Sequence, residues 1–268
     1  MVMRPSEPRR AGHIGVLAAA LALVALPASA AYREEVGLAA DLESGEALYR
    51  EQHLMRAAPD GGLLERLVVY RCVDGTPFAR KRVDYRGAAA APAFQVEDVR
   101  SGYREGVSSA GGDARVFVDR PDAEPQQAPL PEGNLVADAG FDQWVRREWP
   151  RLTAGESVPM AFLVPSRLTS YDFKVYEVEG DEVDRAGDRR FRLRLGGLLG
   201  WIAPHIDVVY AERDQRLLRF EGLSNLRDDA GDDPLKVRIE FPEPPKAVDA
   251  EAFSRLAAEP LRACRVGA

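Results

Sequence analysis

Four groups of residues in this sequence could do chemistry: two histidines, two cysteines, an acidic run and an arginine-rich strand. Beyond the first thirty residues the histidines are His53 and His205. Either could act as a general base beside a carboxylate. His205 follows Pro204 and opens a strand, and His53 shares a strand face with Tyr49 and Met55. Those settings suit hydrogen-bonded structural histidines. No H-x-x-x-H or paired-Cys spacing occurs, so no metal site is expected. No G-x-S-x-G elbow marks a hydrolase nucleophile, and no motif marks a cofactor. A Ser-His-Asp site assembled by the fold stays open as a third reading.

The run Asp228-Asp229-Ala230-Gly231-Asp232-Asp233 is acidic enough to suggest calcium. It lacks the alternating oxygen ligands and terminal Glu of an EF-hand loop, so a solvated hairpin turn is expected. Arg185, Arg189, Arg190, Arg192 and Arg194 could clamp a phosphate or carboxylate. Their alternation also fits the wet face of a strand. Cys72 and Cys264 are the two cysteines. In an oxidising compartment an even pair far apart in sequence is expected to bond, tying the C-terminal tail to an early strand. Loop closure would then stabilise the fold by roughly 2–4 kcal/mol.

Two apolar features have no chemistry of their own but could bind. Phe141, Trp144, Val145 and Trp149 fall at i, i+3, i+4 and i+8, one stripe of a helix running from an Asp138 N-cap to Trp149, with Pro150 at its end. The stripe serves either core packing or the wall of a ligand site. The charge-free stretch from Leu195 to Ile206 interleaves Gly196, Gly197 and Gly200 with Leu198, Leu199, Trp201 and Ile202. It reads either as a hairpin tucked into the core or as an apolar lip that touches a lipid or a partner.

These residues must be positioned by strands. Alternation of apolar and polar residues recurs at Ala47–Met55, Leu63–Cys72, Phe78–Tyr85, Phe94–Arg100, Arg115–Asp119, Val158–Val164, Asp172–Val178, Arg190–Leu195, Ile206–Ala211, Arg216–Leu223 and Leu235–Phe241. Pro59-Asp60-Gly61-Gly62, Asp74-Gly75 and Glu179-Gly180-Asp181 supply turns between them. Strands joined so closely pair antiparallel. The expected fold is mainly β, a large curved antiparallel sheet or half-barrel, with the amphipathic helix and a second short helix from about Asp249 to Ala258. Pro121, Pro125, Pro129 and Pro131 make the region of about 120–137 an extended loop within one domain spanning 31–268.

The N-terminus sets the compartment. Arg4, Arg9 and Arg10 precede an apolar run from Ile14 to Leu26, then Pro27 and Ala28-Ser29-Ala30. This is the pattern of a secretory signal peptide over 1–30, cleaved near Ala30. The run is shorter than the roughly twenty residues a membrane span needs. No Cys follows the cut, so an N-terminal lipid anchor is excluded, and the mature chain is expected to be periplasmic and not integral to the membrane. Net charge is −7, and the leader holds three Arg and one Glu, leaving −9 on the mature part. Such a body repels phosphate backbones, so nucleic acid is not an expected partner.

Asp138 to Asp142 with Trp149, Pro165-Ser166-Arg167-Leu168 and Gly222-Leu223-Ser224-Asn225-Leu226 resemble segments of an uncharacterised family of exported proteobacterial proteins. That resemblance transfers no activity. At the level of fold, the Ile206–Phe220 hairpin and the sheet-plus-helix pattern are similar to the half-barrel of periplasmic lipoprotein carriers, which shelters acyl chains. The reading that follows is a non-catalytic periplasmic protein that binds an apolar or amphipathic ligand, a lipid or lipoprotein acyl chain. Its cavity would lie between the concave sheet face and the Phe141/Trp144/Val145/Trp149 helix, with Leu198–Ile202 at the rim. The alternative is a structural or partner-binding envelope protein without a small ligand. No cofactor is expected in either case.

Overall fold

Period-two alternation does build the molecule, and it extends further than the sequence shows. The computed structural model describes residues 1–2, 31–109, 113–181, 184–197 and 205–267. The chain first lays down β1 (Ala31–Asp41), β2 (Ala47–Ala57), β3 (Leu63–Cys72), β4 (Pro77–Asp84), β5 (Ala93–Asp98), β6 (Tyr103–Ser108), β7 (Arg115–Asp119) and β8 (Gln126–Pro129). Next come β9 (Leu135–Ala137), helix α1 (Gly140–Thr153), β10 (Val158–Val164), a single 3-10 turn at Pro165–Arg167 and β11 (Thr169–Val178). The remainder is β12 (Asp188–Leu195), β13 (Ile206–Ala211), β14 (Leu217–Arg227), β15 (Pro234–Glu240), β16 (Lys246–Val248) and helix α2 (Ala250–Ala258).

All sixteen strands join one sheet, in the order β8 to β1, then β15 down to β9, with β16 added beside β1. Neighbours pair antiparallel, as short turns require, except β9 and β10, which run parallel. Helix α1 lies between those two in sequence and supplies the crossover that a parallel pair needs. The two edges of the sheet, β8 and β9, are consecutive in the chain. Only residues 130–134 join them, a segment that reaches at most about 20 Å. The sheet must therefore curl until its edges approach one another. Arg120 Nη2 donates to Ser166 O at 2.7 Å near this seam, and the 3-10 turn packs on β6 and β7.

The curled interior holds two apolar clusters. One joins Tyr49, Val68, Tyr70, Val96 and Val116 to Ala137 and Leu163 from the other arm of the sheet. The other joins Trp144, Val145, Trp149 and Leu152 of α1 to Val175, Phe191, Val208 and Tyr210. Helix α1 enters this space past the β4–β5 connection, where Ala137 N donates to Ala90 O at 2.9 Å. A methyl group on Gly140 would lie 2.1 Å from Ala90 O and 2.6 Å from Pro92 Cδ. Backbone cannot yield as a flexible side chain can. Gly140→Ala should therefore cost roughly 1–3 kcal/mol in urea unfolding, the range of overpacked core sites. A loss below about 0.5 kcal/mol would mean that α1 shifts freely.

Three expectations are corrected. The region 120–137 is not wholly loop, because it carries β8 and β9. β8 is an edge strand paired only with β7, where a proline needs no ladder partner. Asp138 does not cap α1: the cap residue is Ala139, and no side chain caps the helix there. Nor does Pro150 end it, since the helix runs on to Thr153 with Thr153 Oγ1 donating to Trp149 O at 2.9 Å. Helix α2 does start as expected, with Asp249 Oδ1 accepting from Ala252 N at 2.7 Å.

Candidate functional site

The stripe on α1 is real and faces the sheet. Phe141 stacks on Trp144 at 6.0 Å, and Trp149 meets Phe191 at 5.4 Å and Tyr210 at 6.0 Å edge-on. Trp144 is 4% exposed and Val145 and Leu152 are fully buried, while Phe141 is partly buried against the same cluster. Phe141, Trp144, Val145 and Trp149 are thus brought together in one buried cluster with Val175, Phe191 and Tyr210. The other half of the expected site, Leu198, Leu199, Trp201 and Ile202, lies outside the described residues.

Polar groups line the interior beside this packing. Asp138, at φ 45°, turns its carboxylate inward. Its Oδ1 accepts from Lys81 Nζ at 3.0 Å and Asn225 Nδ2 at 2.9 Å. Tyr103 donates to Glu105 at 2.6 Å, and burial pushes the Glu105 carboxyl up. Further along, Glu35 on β1 pairs across from His53 on β2. Burial also raises the Glu35 carboxyl, against the pull of His53, Arg66 and Arg216. Asp142 on α1 lies 3.6 Å from Arg66, which ties the helix to β3.

Among the described residues, His53 is the histidine placed beside a carboxylate in the interior, with Nε2 2.8 Å from Glu51. Its ring also meets Phe241 at 5.4 Å, edge-on, and the residue is 6% exposed. This is a packed pair in which the ring is held between Glu51 and Phe241. His205 is half exposed and lies 3.9 Å from Asp207, whose carboxylate already accepts from Arg192 at 2.8 and 2.7 Å. Among the described residues no group of three or more His, Cys, Asp or Glu side chains is set to hold a metal ion. The acidic run at Asp228–Asp233 is a turn, with Asp232 N donating to Asp228 and Asp229 paired to Arg100. Arg189 and Arg190 are likewise taken up by carboxylates of the same molecule.

The remaining constellation gathers where the C-terminal tail meets the first arm of the sheet. Cys72 and Cys264 are bonded, with Cα atoms 6.5 Å apart across 192 residues of sequence. From α2 to just beyond that bond the tail runs across the ends of β2 to β4, with Arg262 N donating to Pro77 O at 2.8 Å and Gly267 N to Leu48 O at 3.2 Å. Three arginines meet the end of α2. Arg82 donates to Ala257 O at 2.8 Å, and Arg80 donates to Leu256 O at 3.5 Å and to Glu259 O. Arg71 grips the Glu259 carboxylate with both terminal nitrogens, at 3.1 and 2.5 Å. That bond holds the Glu259 carboxyl below the usual range. The last carbonyls of a helix have no partner within it and carry partial negative charge, so guanidinium groups suit them doubly.

Outward-pointing Leu54, Leu67 and Val69 on β2 and β3 are each 1% exposed or less, and α2 packs on β3 beside them. The helix offers Ala252, Phe253, Leu256 and Ala257 to this strip, all partly buried, and no residue of α2 is fully buried. Open grooves border it. One of about 250 Å³ is lined by Leu67, Arg82, Gln95, Phe117 and Phe253. Another, of about 720 Å³, lies among Glu34, Gln52, Val248, Ala252 and Leu256. Sequence reasoning missed this assembly. Its only legible trace is the cysteine pair, because Arg71 on β3 and Arg80 and Arg82 on β4 bind groups some 175–188 residues away in sequence.

No family model matches the sequence, and no curated protein matches it. Among solved structures the chain is similar to a beta-barrel-like protein of a domain of unknown function, DUF1849, from Brucella abortus. The match covers 82% of this chain and 99% of that one, at 10% identity and a TM-score of 0.41. No helix among the described residues is long and apolar enough to cross a membrane.

Proposed function

We propose that this chain is a non-catalytic exported protein that works in the periplasm by binding a macromolecular partner of the cell envelope. One observation carries the reading: open grooves lie on the outer face beside α2, while Trp144, Val145 and Leu152 of α1 are buried against the sheet. Ligand sites are mostly pre-formed concavities, and a packed core offers none. Export is supported by the leader pattern over 1–30 and by the Cys72–Cys264 bond, which persists in oxidising compartments. A binding role without turnover is supported by the packing of His53 against Glu51 and Phe241.

The carrier reading makes the opposite prediction, which gives the test. Native mass spectrometry of the mature protein purified from its periplasm, with organic extraction, should return the apo mass and no uptake of added phospholipid. Trp144→Ala should then lower stability by roughly 3–5 kcal/mol, as for a buried aromatic. A lipid that co-purifies reproducibly and is reduced in Trp144→Ala would overturn the proposal and restore an apolar ligand under α1.

A further inference from the structure

We propose that the outer face of β2–β4 is a helix dock, filled in the resting protein by α2, on which an amphipathic helix of the partner takes the place of α2. This rests on the partner-binding role proposed above and names its surface. The dock has two matched parts. Leu54, Leu67 and Val69 form an apolar strip that would meet water without a helix over it. Arg71, Arg80 and Arg82 form a cationic end that binds helix-terminal carbonyls and one carboxylate beyond them. Together they specify the occupant: an amphipathic helix of about two or three turns, oriented with its C-terminus at the arginines and followed by an acidic residue. A helix of the opposite polarity would bring its N–H groups to three guanidinium ions, which repels it.

The resident helix is suited to leave. It has nine residues, too few for stability in isolation, and none of them is fully buried. Its start is tied to the sheet by the three-residue β16, paired with Tyr32–Glu34 of β1. Its far end is tethered by Cys264, so a displaced α2 stays close and competes for its own seat. The partner must outbid that local copy, which keeps the strip covered until a better helix arrives.

A fluorescent peptide of residues 249–260 serves as the probe, added to the full mature chain and followed by anisotropy. Phe253→Ala/Leu256→Ala should loosen the resident helix, and hydrogen exchange should show faster exchange in α2 and in β2–β3. The peptide should then bind this variant at least ten-fold tighter than the parent. Adding Arg71→Ala and Arg80→Ala should weaken that binding at least ten-fold. The proposal is overturned if the peptide shows no saturable binding to a variant with the parent's circular dichroism spectrum. It is equally overturned if α2 stays as protected as in the parent, or if the variant dimerises by exchanging α2, which makes a second copy the occupant. None of these outcomes depends on whether a lipid co-purifies, so the dock and the binding role can fail separately.

Discussion

Cys264→Ser should lower the free energy of unfolding by roughly 2–5 kcal/mol, the cost of removing a native disulfide. The two cysteines are 192 residues apart, so the bond closes a very long loop. On the chain-entropy view, a loop of that size restricts the unfolded state by about 5 kcal/mol, near the top of the range. The structural consequence is local first. Without the bond, the tail is held by the Arg262 and Gly267 backbone bonds and by the Arg71–Glu259 pair, all near the surface. Urea unfolding of the variant, and of the parent with and without reductant, measures the effect. The two should agree, and hydrogen exchange should rise first in α2 and the tail. A loss under about 1 kcal/mol would mean that the arginine contacts alone hold the tail.

The sheet was legible in the sequence wherever the inward face is apolar. Arg190–Leu195 and Leu235–Phe241 alternate cleanly because Phe191, Leu193, Val237 and Ile239 all point into the core. β1 and β6 were not legible for the opposite reason. Their inward residues include Glu35 and Glu105, which hide the apolar period. The same carboxylates belong to the polar interior, so in these two strands buried charge masks the alternation. Asp138 illustrates a second limit. Its type and position before an apolar stripe predict an N-cap, but Lys81 and Asn225 from distant strands offer its carboxylate ammonium and amide donors. Local preference lost to a tertiary partner that no local window contains. The stripe itself was correctly placed on α1, because helical spacing is a local property. Whether such a stripe lines a cavity or a core depends on how the sheet closes over it, which no local window contains.

Arg190→Ala should destabilise the fold by roughly 3–5 kcal/mol at neutral pH, because it leaves buried carboxylates without their cation. Arg190 is 6% exposed. It donates to Asp184 at 2.8 and 3.2 Å, to Asp207 at 3.2 Å, to Glu221 at 3.1 Å and to Asp181. Arg219 and Arg192 share Asp184 and Asp207 but cannot reach every oxygen that Arg190 serves. Burial works against ionisation of Asp184 and Asp207, yet the arginine hydrogen bonds win and hold both below the ordinary aspartate value of 3.8. A depressed folded pKa means that the unfolded chain binds more protons in the window below 3.8. Stability from this network is therefore complete above that value and is lost as pH falls through the lower folded values. The deficit of Arg190→Ala should shrink in the same window, since the parent loses there what the variant already lacks. Glu35 and Glu105 act with the opposite sign. Burial raises both above the ordinary 4.5, so their contribution is complete below 4.5 and erodes as pH rises through the raised values. Both proteins carry those groups, so they tilt the two pH profiles equally and cancel in the difference. Urea unfolding of parent and variant at pH 7, 5 and 3 separates the cases. A difference that stays constant down to pH 3 would mean that Arg190 acts through packing of its stem and not through the carboxylates it holds.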